Sequence, residues 1–138
     1  MTTIHIEGTA PVYQHAGDAG ADLTATEGAV LHSGQSALIP TGLRAAIPIG
    51  CAGFVVPRSG LALKSQVTVL NSPGLIDPLF RGEIGVILIN HGPKPYVVRK
   101  GDRVAQLVIV PTVQAKFVPG VLDATDRGAG GFGSTGAA

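Results

Sequence analysis

Tryptophan is missing, cysteine occurs once, and aromatic residues make up only 4% of the 138-residue chain. Cys51 has no second cysteine to pair with, so an internal disulfide framework is excluded. Charge is also scarce: charged residues are 14% of the chain, against a typical ~25%. With ten Lys and Arg against nine Asp and Glu, the formal charge is +1. That balance gives no basic footprint for duplex nucleic acid or an acidic membrane surface, so any anion must be bound locally. Apolar runs such as Ile84–Ile89 fall far short of the ~20 residues of a membrane helix. The opening MTTIHIEGTAP has neither the basic nor the apolar region of a signal peptide, and a cytoplasmic protein is expected.

Glycine and proline, by contrast, are abundant. Twenty Gly and ten Pro are too many for a helical bundle and suit short strands joined by turns. The length fits one domain with a real core. Because a 45% hydrophobic share meets so little charge, part of the surface is expected to be buried against other subunits. Strand-like runs lie at 29–31, 35–40, 43–47, 52–56, 67–70, 83–90, 96–98 and 103–110, a rhythm that predicts an all-β sandwich or barrel. One short helix is predicted over Ser59–Gln66, with Ser59 capping its first turn and the β-branched run Val67, Thr68, Val69 ending it. Ser72-Pro73-Gly74-Leu75 has the residues of a type II turn and predicts a hairpin between 67–71 and 75–77. Residues 1–119 are read as the β domain. Residues 120–138, with six glycines and few large apolar side chains, are read as a mobile arm.

Several familiar chemistries find no support. Gly128 through Gly133 matches G-x-G-x-x-G, but only five residues follow, too few for the helix a dinucleotide fold requires. No P-loop and no G-x-S-x-G elbow occur, and the four histidines lack ligand spacing, which argues against zinc and serine-hydrolase chemistry. Five polar islands remain, at 19–23, 57–60, 71–83, 101–106 and 127–136. Singly they have plain structural readings: Asp22 as a turn cap, Gly101-Asp102 as a hairpin turn, Arg81-Gly82-Glu83 as a solvated ion pair. Together they suggest a nucleotide site.

In order, spacing and wording, these islands resemble the five motifs of the trimeric deoxyuridine triphosphatase family from Ala19 to Gly136, with NSPGLIDPLFRGEI the most informative stretch. The resemblance implies a distorted jelly-roll-like all-β subunit, a homotrimer with shared active sites, and Mg²⁺-assisted hydrolysis of dUTP to dUMP and pyrophosphate. Such an enzyme keeps uracil out of DNA and supplies dUMP for dTMP synthesis. Asp77 matches the catalytic aspartate that orients and deprotonates the attacking water, and Pro78 restricts its backbone. Asp22 matches the carboxylate that holds Mg²⁺ through water. Arg58, Ser59, Gly60 and Gln106 match phosphate contacts, while Arg103 is equally consistent with a structural role.

Within the same match, Asn71, Gly74 and Ile76 belong to the hairpin that reads uracil. Phe80 stands where the family usually has a Tyr stacked on the deoxyribose; the ring face is kept and the hydroxyl is lost. In the arm, Phe132 is expected to stack on uracil while Arg127, Gly133, Ser134 and Thr135 close on the phosphates. Two other classes stay open on sequence alone: a dCTP deaminase of the same fold, and a nucleotide-gated module acting on a regulatory protein partner, for which no residue speaks directly. A purely structural jelly-roll subunit would leave the five islands unexplained.

Overall fold

The computed structural model describes residues 1–138. Ten strands and one helix follow the chain in the order β1 (Ile6–Gly8), β2 (Ala21–Thr24), β3 (Ala29–Leu31), β4 (Ser36–Ala45), β5 (Cys51–Val56), α1 (Ser59–Ser65), β6 (Val67–Val69), β7 (Gly74–Ile76), β8 (Ile84–Asn90), β9 (Tyr96–Val98) and β10 (Arg103–Pro111). They form two four-stranded antiparallel sheets, β1-β4-β8-β6 and β2-β10-β5-β7, with β3 and β9 as a separate pair. The predicted all-β class with one short helix is what forms, as an open jelly-roll-like sandwich. No helix is long and apolar enough to cross a membrane.

Strict alternation on β8 explains the sandwich. Ile84, Val86, Leu88 and Asn90 are buried, while Gly85, Ile87 and Ile89 face the other way. The inward set meets Ile39, Leu43 and Ala45 of β4 and Val67 and Val69 of β6, and Leu23, Val55, Ala105 and Leu107 complete the core from the opposite sheet. Leu31 and Val98 join it from the β3–β9 pair. Asn90 is fully buried yet satisfied: its Nδ2 donates to the Leu31 carbonyl at 2.9 Å and the Lys94 carbonyl at 2.8 Å, and its Oδ1 accepts from Gly92 N–H at 2.8 Å. One amide thus pins the β3 end and the 92–94 loop to β8.

Four expectations are corrected. The runs at 35–40 and 43–47 belong to one strand, because Thr41 and Gly42 bulge out of register between Pro40, opposite Gly85, and Leu43, opposite Ile84. There Gly42 has φ +68, and the Thr41 hydroxyl donates to the Ile84 carbonyl. The type II turn and its hairpin do not form: β6 pairs with β8, and β7 pairs with β5 in the other sheet. Residues 70–73 therefore cross between sheets, since β6 and β7 each find a longer partner than the other could offer. The helix is capped not by Ser59 but by the extended residue Arg58, with no side-chain cap bond, and ends at Gln66 in the left-handed region. Gly101-Asp102 is a turn, with Asp102 Oδ2 accepting from Arg99 N–H at 2.8 Å, but it joins strands of different sheets and makes no hairpin. The strands β1 (IEG) and β2 (ADLT), with only one β-branched residue each to mark them, do not stand out in the sequence and are not among the expected runs.

Asn90→Ala is expected to lower the unfolding free energy by about 3 kcal/mol, because two carbonyls and one N–H lose their partner. Chemical denaturation followed by circular dichroism measures it; a change below about 1 kcal/mol would show that water replaces the amide.

Candidate functional site

Asp22 sits in the middle of β2, between a bridge to Val12 and the ladder to β10. Its neighbours Ala21 and Leu23 belong to the buried core face, so alternation turns its carboxylate to the outer face of the sheet. The side chain is nevertheless only 5% exposed, because three donors cover it. Arg58 Nε lies 3.7 Å from Oδ1, Arg103 Nη1 3.4 Å from Oδ2, and Gln106 Nε2 3.5 Å from Oδ1. These separations are longer than a well-formed hydrogen bond, and the attraction is mainly Coulombic. Arg58 Nη1 also donates to the Arg103 carbonyl at 3.1 Å, tying the residue before α1 to the start of β10. Two cations around one carboxylate leave a positive excess, which suits an anion.

Arg103 and Gln106 are three residues apart and would point to opposite faces of a regular strand. They meet the same carboxylate because β10 bulges: Arg103 is opposite Thr24 and Ala105 opposite Leu23, leaving Val104 as the extra residue. Val104 and Ala105 are both buried, so the bulge serves core and site together. Gly20 also belongs here. A Cβ on it would lie 3.1 Å from Gln106 Cβ and Cδ, so the bare glycine is the floor on which Gln106 lies. Sequence reasoning assigned Gly20 no role; its only signal was adjacency to Asp22. Ser59 and Gly60 lie exposed at the start of α1, beside Arg58.

A second group follows β7. Gly74 is buried opposite Val55, and a Cβ there would lie 3.3 Å from Asn71 Nδ2, so the exposed Asn71 folds back over it. Ile76 is opposite Gly53, and Asp77 comes next, exposed, with its carbonyl accepting from Phe80 N–H at 3.2 Å. Arg81 and Glu83 do not pair with each other as their plain reading supposed. Arg81 Nη1 donates to the carbonyls of Pro78 at 2.7 Å and Phe80 at 3.1 Å, while Glu83 accepts from Gly42 N–H at 2.9 Å. Backbone groups outcompete an exposed ion pair there.

The ladder separates the two groups within one chain. Asp77 follows the residue opposite Gly53, whereas Arg58 lies beyond the other end of β5. Five or six residues of extended chain put them roughly 15–20 Å apart. The arm is separate from both. The chain leading to it is last tied to the sheet where Thr112 N–H donates to the Gly50 carbonyl at 2.8 Å, and the arm's own hydrogen bonds stay within residues 125–136. Arg127 Nε donates to the Gly130 carbonyl at 3.0 Å, and Arg127, Gly133, Ser134 and Thr135 line one concavity with Phe132, which is fully exposed at φ +52.

No three His, Cys, Asp or Glu residues come together. Asp22 is a single carboxylate among donors, so this chain makes no cation cage. What Asp22 offers is a single carboxylate, which would serve a Mg²⁺ that arrives on a polyphosphate and keeps its waters. Nearby, burial and then the charge of Asp102 push the Tyr96 hydroxyl above the usual phenol range, with Arg58 and Arg99 partly opposing.

Asp22→Asn removes the charge that holds Arg58 and Arg103 side by side. An unfolding free energy lower by about 1–3 kcal/mol is expected, with a larger loss at low salt where the two cations repel unscreened. Denaturation at two ionic strengths measures it, and no salt dependence would contradict the Coulombic reading.

Comparison with known proteins bears on the same residues. A family model described as dUTPase matches residues 7–136. The deoxyuridine 5'-triphosphate nucleotidohydrolase of Picosynechococcus is 53% identical over 137 residues, covering 99% of this chain and 96% of the relative. Among solved structures, the dUTPase of Staphylococcus bacteriophage 80alpha with dUPNHPP superposes with a TM-score of 0.87 at 28% identity, covering 99% of this chain and all of that one. A variant dUTPase of phage phi11 of S. aureus, described as coordinating a structural Mg(II) ion, has a TM-score of 0.79 at 25% identity, covering 86% of this chain and 96% of that one. With a matching family model over nearly the whole chain and a relative of this identity, the chain belongs to the dUTPase family.

Proposed function

We propose that the protein hydrolyses dUTP to dUMP and pyrophosphate, and that its site is built from more than one copy of the chain. The observation that carries the reading is the cluster of Arg58, Arg103 and Gln106 around the buried Asp22, a locally cationic patch on a chain of almost no net charge. On this reading Arg58 and Gln106, with Ser59 and Gly60, hold the phosphates, because a planar guanidinium donates to two phosphate oxygens at once. Arg103 shares Asp22 and braces Arg58 through its own carbonyl. Asp22 would hold a triphosphate-borne Mg²⁺ through water, and the ion would supply neutralisation of phosphate charge there.

Asp77 aligns and deprotonates the water that attacks the α-phosphorus. With Pro78 restricting its backbone and Phe80 N–H on its carbonyl, it is well held for alignment. Asn71 and the backbone at Gly74 and Ile76 hydrogen-bond the uracil edge, and Phe80 lies against the deoxyribose. The arm, residues 120–138, closes over the bound nucleotide: Phe132 stacks on the base, and Arg127, Gly133, Ser134 and Thr135 surround the outer phosphates and exclude water.

Two features support a homotrimer. Asp77 and the Asp22 cluster lie too far apart in one chain to act on one triphosphate, so a second copy supplies one of them. The outer face of the β4–β8–β6 sheet carries Leu38, Ile87, Ile89 and Leu70, with Leu38 and Leu70 exposed, an apolar face that calls for a cover. A third copy then lends the arm. The unpaired Cys51 fits a reducing compartment, and we assign the enzyme to the cytoplasm.

Pyrophosphate release with Mg²⁺ from dUTP, dCTP, dTTP and UTP in parallel tests the activity. Turnover of dUTP alone is expected, and ammonia release from dCTP would replace the reading with a deaminase. In Asp77→Asn the turnover number should fall at least about a thousandfold with nucleotide binding retained; near-normal turnover would remove Asp77 from its role. Ending the chain at Asp126 should leave a folded trimer of much lower turnover, and unchanged activity in that protein would contradict closure by the arm.

A further inference from the structure

Beside Phe80, the backbone of Gly82 forms a floor for the aromatic ring. A Cβ built on Gly82 would stand 2.6 Å from Phe80 Cζ and 2.8 Å from Cε1, closer than two carbon atoms approach. The glycine therefore leaves room for the far end of the ring beside the main chain. Its φ is not in the left-handed region, so the backbone itself makes no demand for glycine here. What requires its bareness is the ring.

The floor is fixed on both sides. The carbonyl of Arg81 accepts from Arg44 Nε at 2.7 Å, and Arg44 is in turn paired with Glu7 at 2.9 Å. On the other side the Glu83 carboxylate accepts from Gly42 N–H, at the bulge of β4. The Phe80 ring is the movable partner: it is 42% exposed, with its far end against Gly82. A phenylalanine has no hydroxyl with which to tether its far edge, so contact with Gly82 decides where the ring stands.

We infer that Gly82 is a positioning residue for sugar selectivity, setting the height of the Phe80 ring over the deoxyribose and so closing the space a 2′-hydroxyl would need. The inference rests on the reading of Phe80 as the sugar-facing residue. A methyl group at Gly82 lifts the ring toward solvent, because the fixed backbone cannot yield and the ring can. Moved off its seat into the space the sugar would occupy, the ring no longer packs squarely on the deoxyribose, and the fit that separates deoxyribose from ribose is lost. UTP then gains relative to dUTP.

The test compares kcat/KM for dUTP and UTP in the full-length protein, in Gly82→Ala, in Phe80→Ala and in the double variant. Gly82→Ala is expected to lower the dUTP-to-UTP preference about tenfold while leaving thermal unfolding and subunit association near those of the parent. In the Phe80→Ala background the same change should leave the preference where Phe80→Ala alone put it, since there is no ring left to move. Gly82→Ser carries the same Cβ and repeats the measurement independently, and the double variant, from which the ring that the Cβ would meet is gone, shows whether the Cβ itself is tolerated. An unaltered preference in Gly82→Ala and Gly82→Ser overturns the inference, as does an equal drop in both backgrounds. If Phe80→Ala itself keeps the full preference, the sugar-facing role of Phe80 fails and the inference falls with it; if Phe80→Ala loses the preference and Gly82→Ala does not, only the role of Gly82 fails.

Discussion

A carboxylate buried among cations organises this molecule. Asp22 is covered by Arg58, Arg103 and Gln106, and those residues come from the loop after β5 and from two positions along β10. Taking a carboxylate out of water costs several kcal/mol unless opposite charge stands beside it. The two guanidiniums meet that cost, and each is held in place by doing so. The same electrostatics that makes β2 compatible with a covered position also leaves the outer face of that sheet with a net positive patch. Burial of the carboxylate and a local excess of positive charge are two consequences of one arrangement, and Arg103 takes part in both.

Bulges let a sandwich built on a period of two carry such a cluster. The extra Val104 turns Arg103 and Gln106 to one face, and the Thr41–Gly42 insertion brings Gly42 N–H to Glu83, steadying the segment that carries Phe80. Bare glycines then supply floors: Gly20 under Gln106, Gly74 under Asn71 and Gly82 under Phe80. In each pair a side chain lies close over bare backbone, where an added Cβ would crowd it. Away from the charged Asp22 cluster, these side chains are placed by main chain held in hydrogen bonds. This agrees with a composition poor in both charge and aromatics.

The polar islands at 19–23, 57–60, 71–83, 101–106 and 127–136 were all legible in the sequence, because an apolar chain makes each one conspicuous. So were the strands with alternating or β-branched runs, and the short α1 between Arg58 and the Val67-Thr68-Val69 run. Less legible were β1 and β2, three and four residues long, since a ladder partner rather than local propensity makes them strands. Ser72-Pro73-Gly74 read as a hairpin turn because turn composition is local. The choice of β8 for β6 and of β5 for β7 depends on partners more than a dozen residues away.

By itself the sequence determined the all-β class, the family, and the residue types available for nucleotide chemistry, because composition, turn residues and short motifs are local properties written directly in the chain. Tertiary structure alone decided that Arg103 and Gln106 reach the same carboxylate, that Gly82 underlies Phe80, and that Asp77 stands apart from the Asp22 cluster within one chain. Those facts depend on bulges and on which strands pair. Both are settled by the packing of two sheets around one core, where a shift of a single residue in register would turn every side chain of a strand to the opposite face.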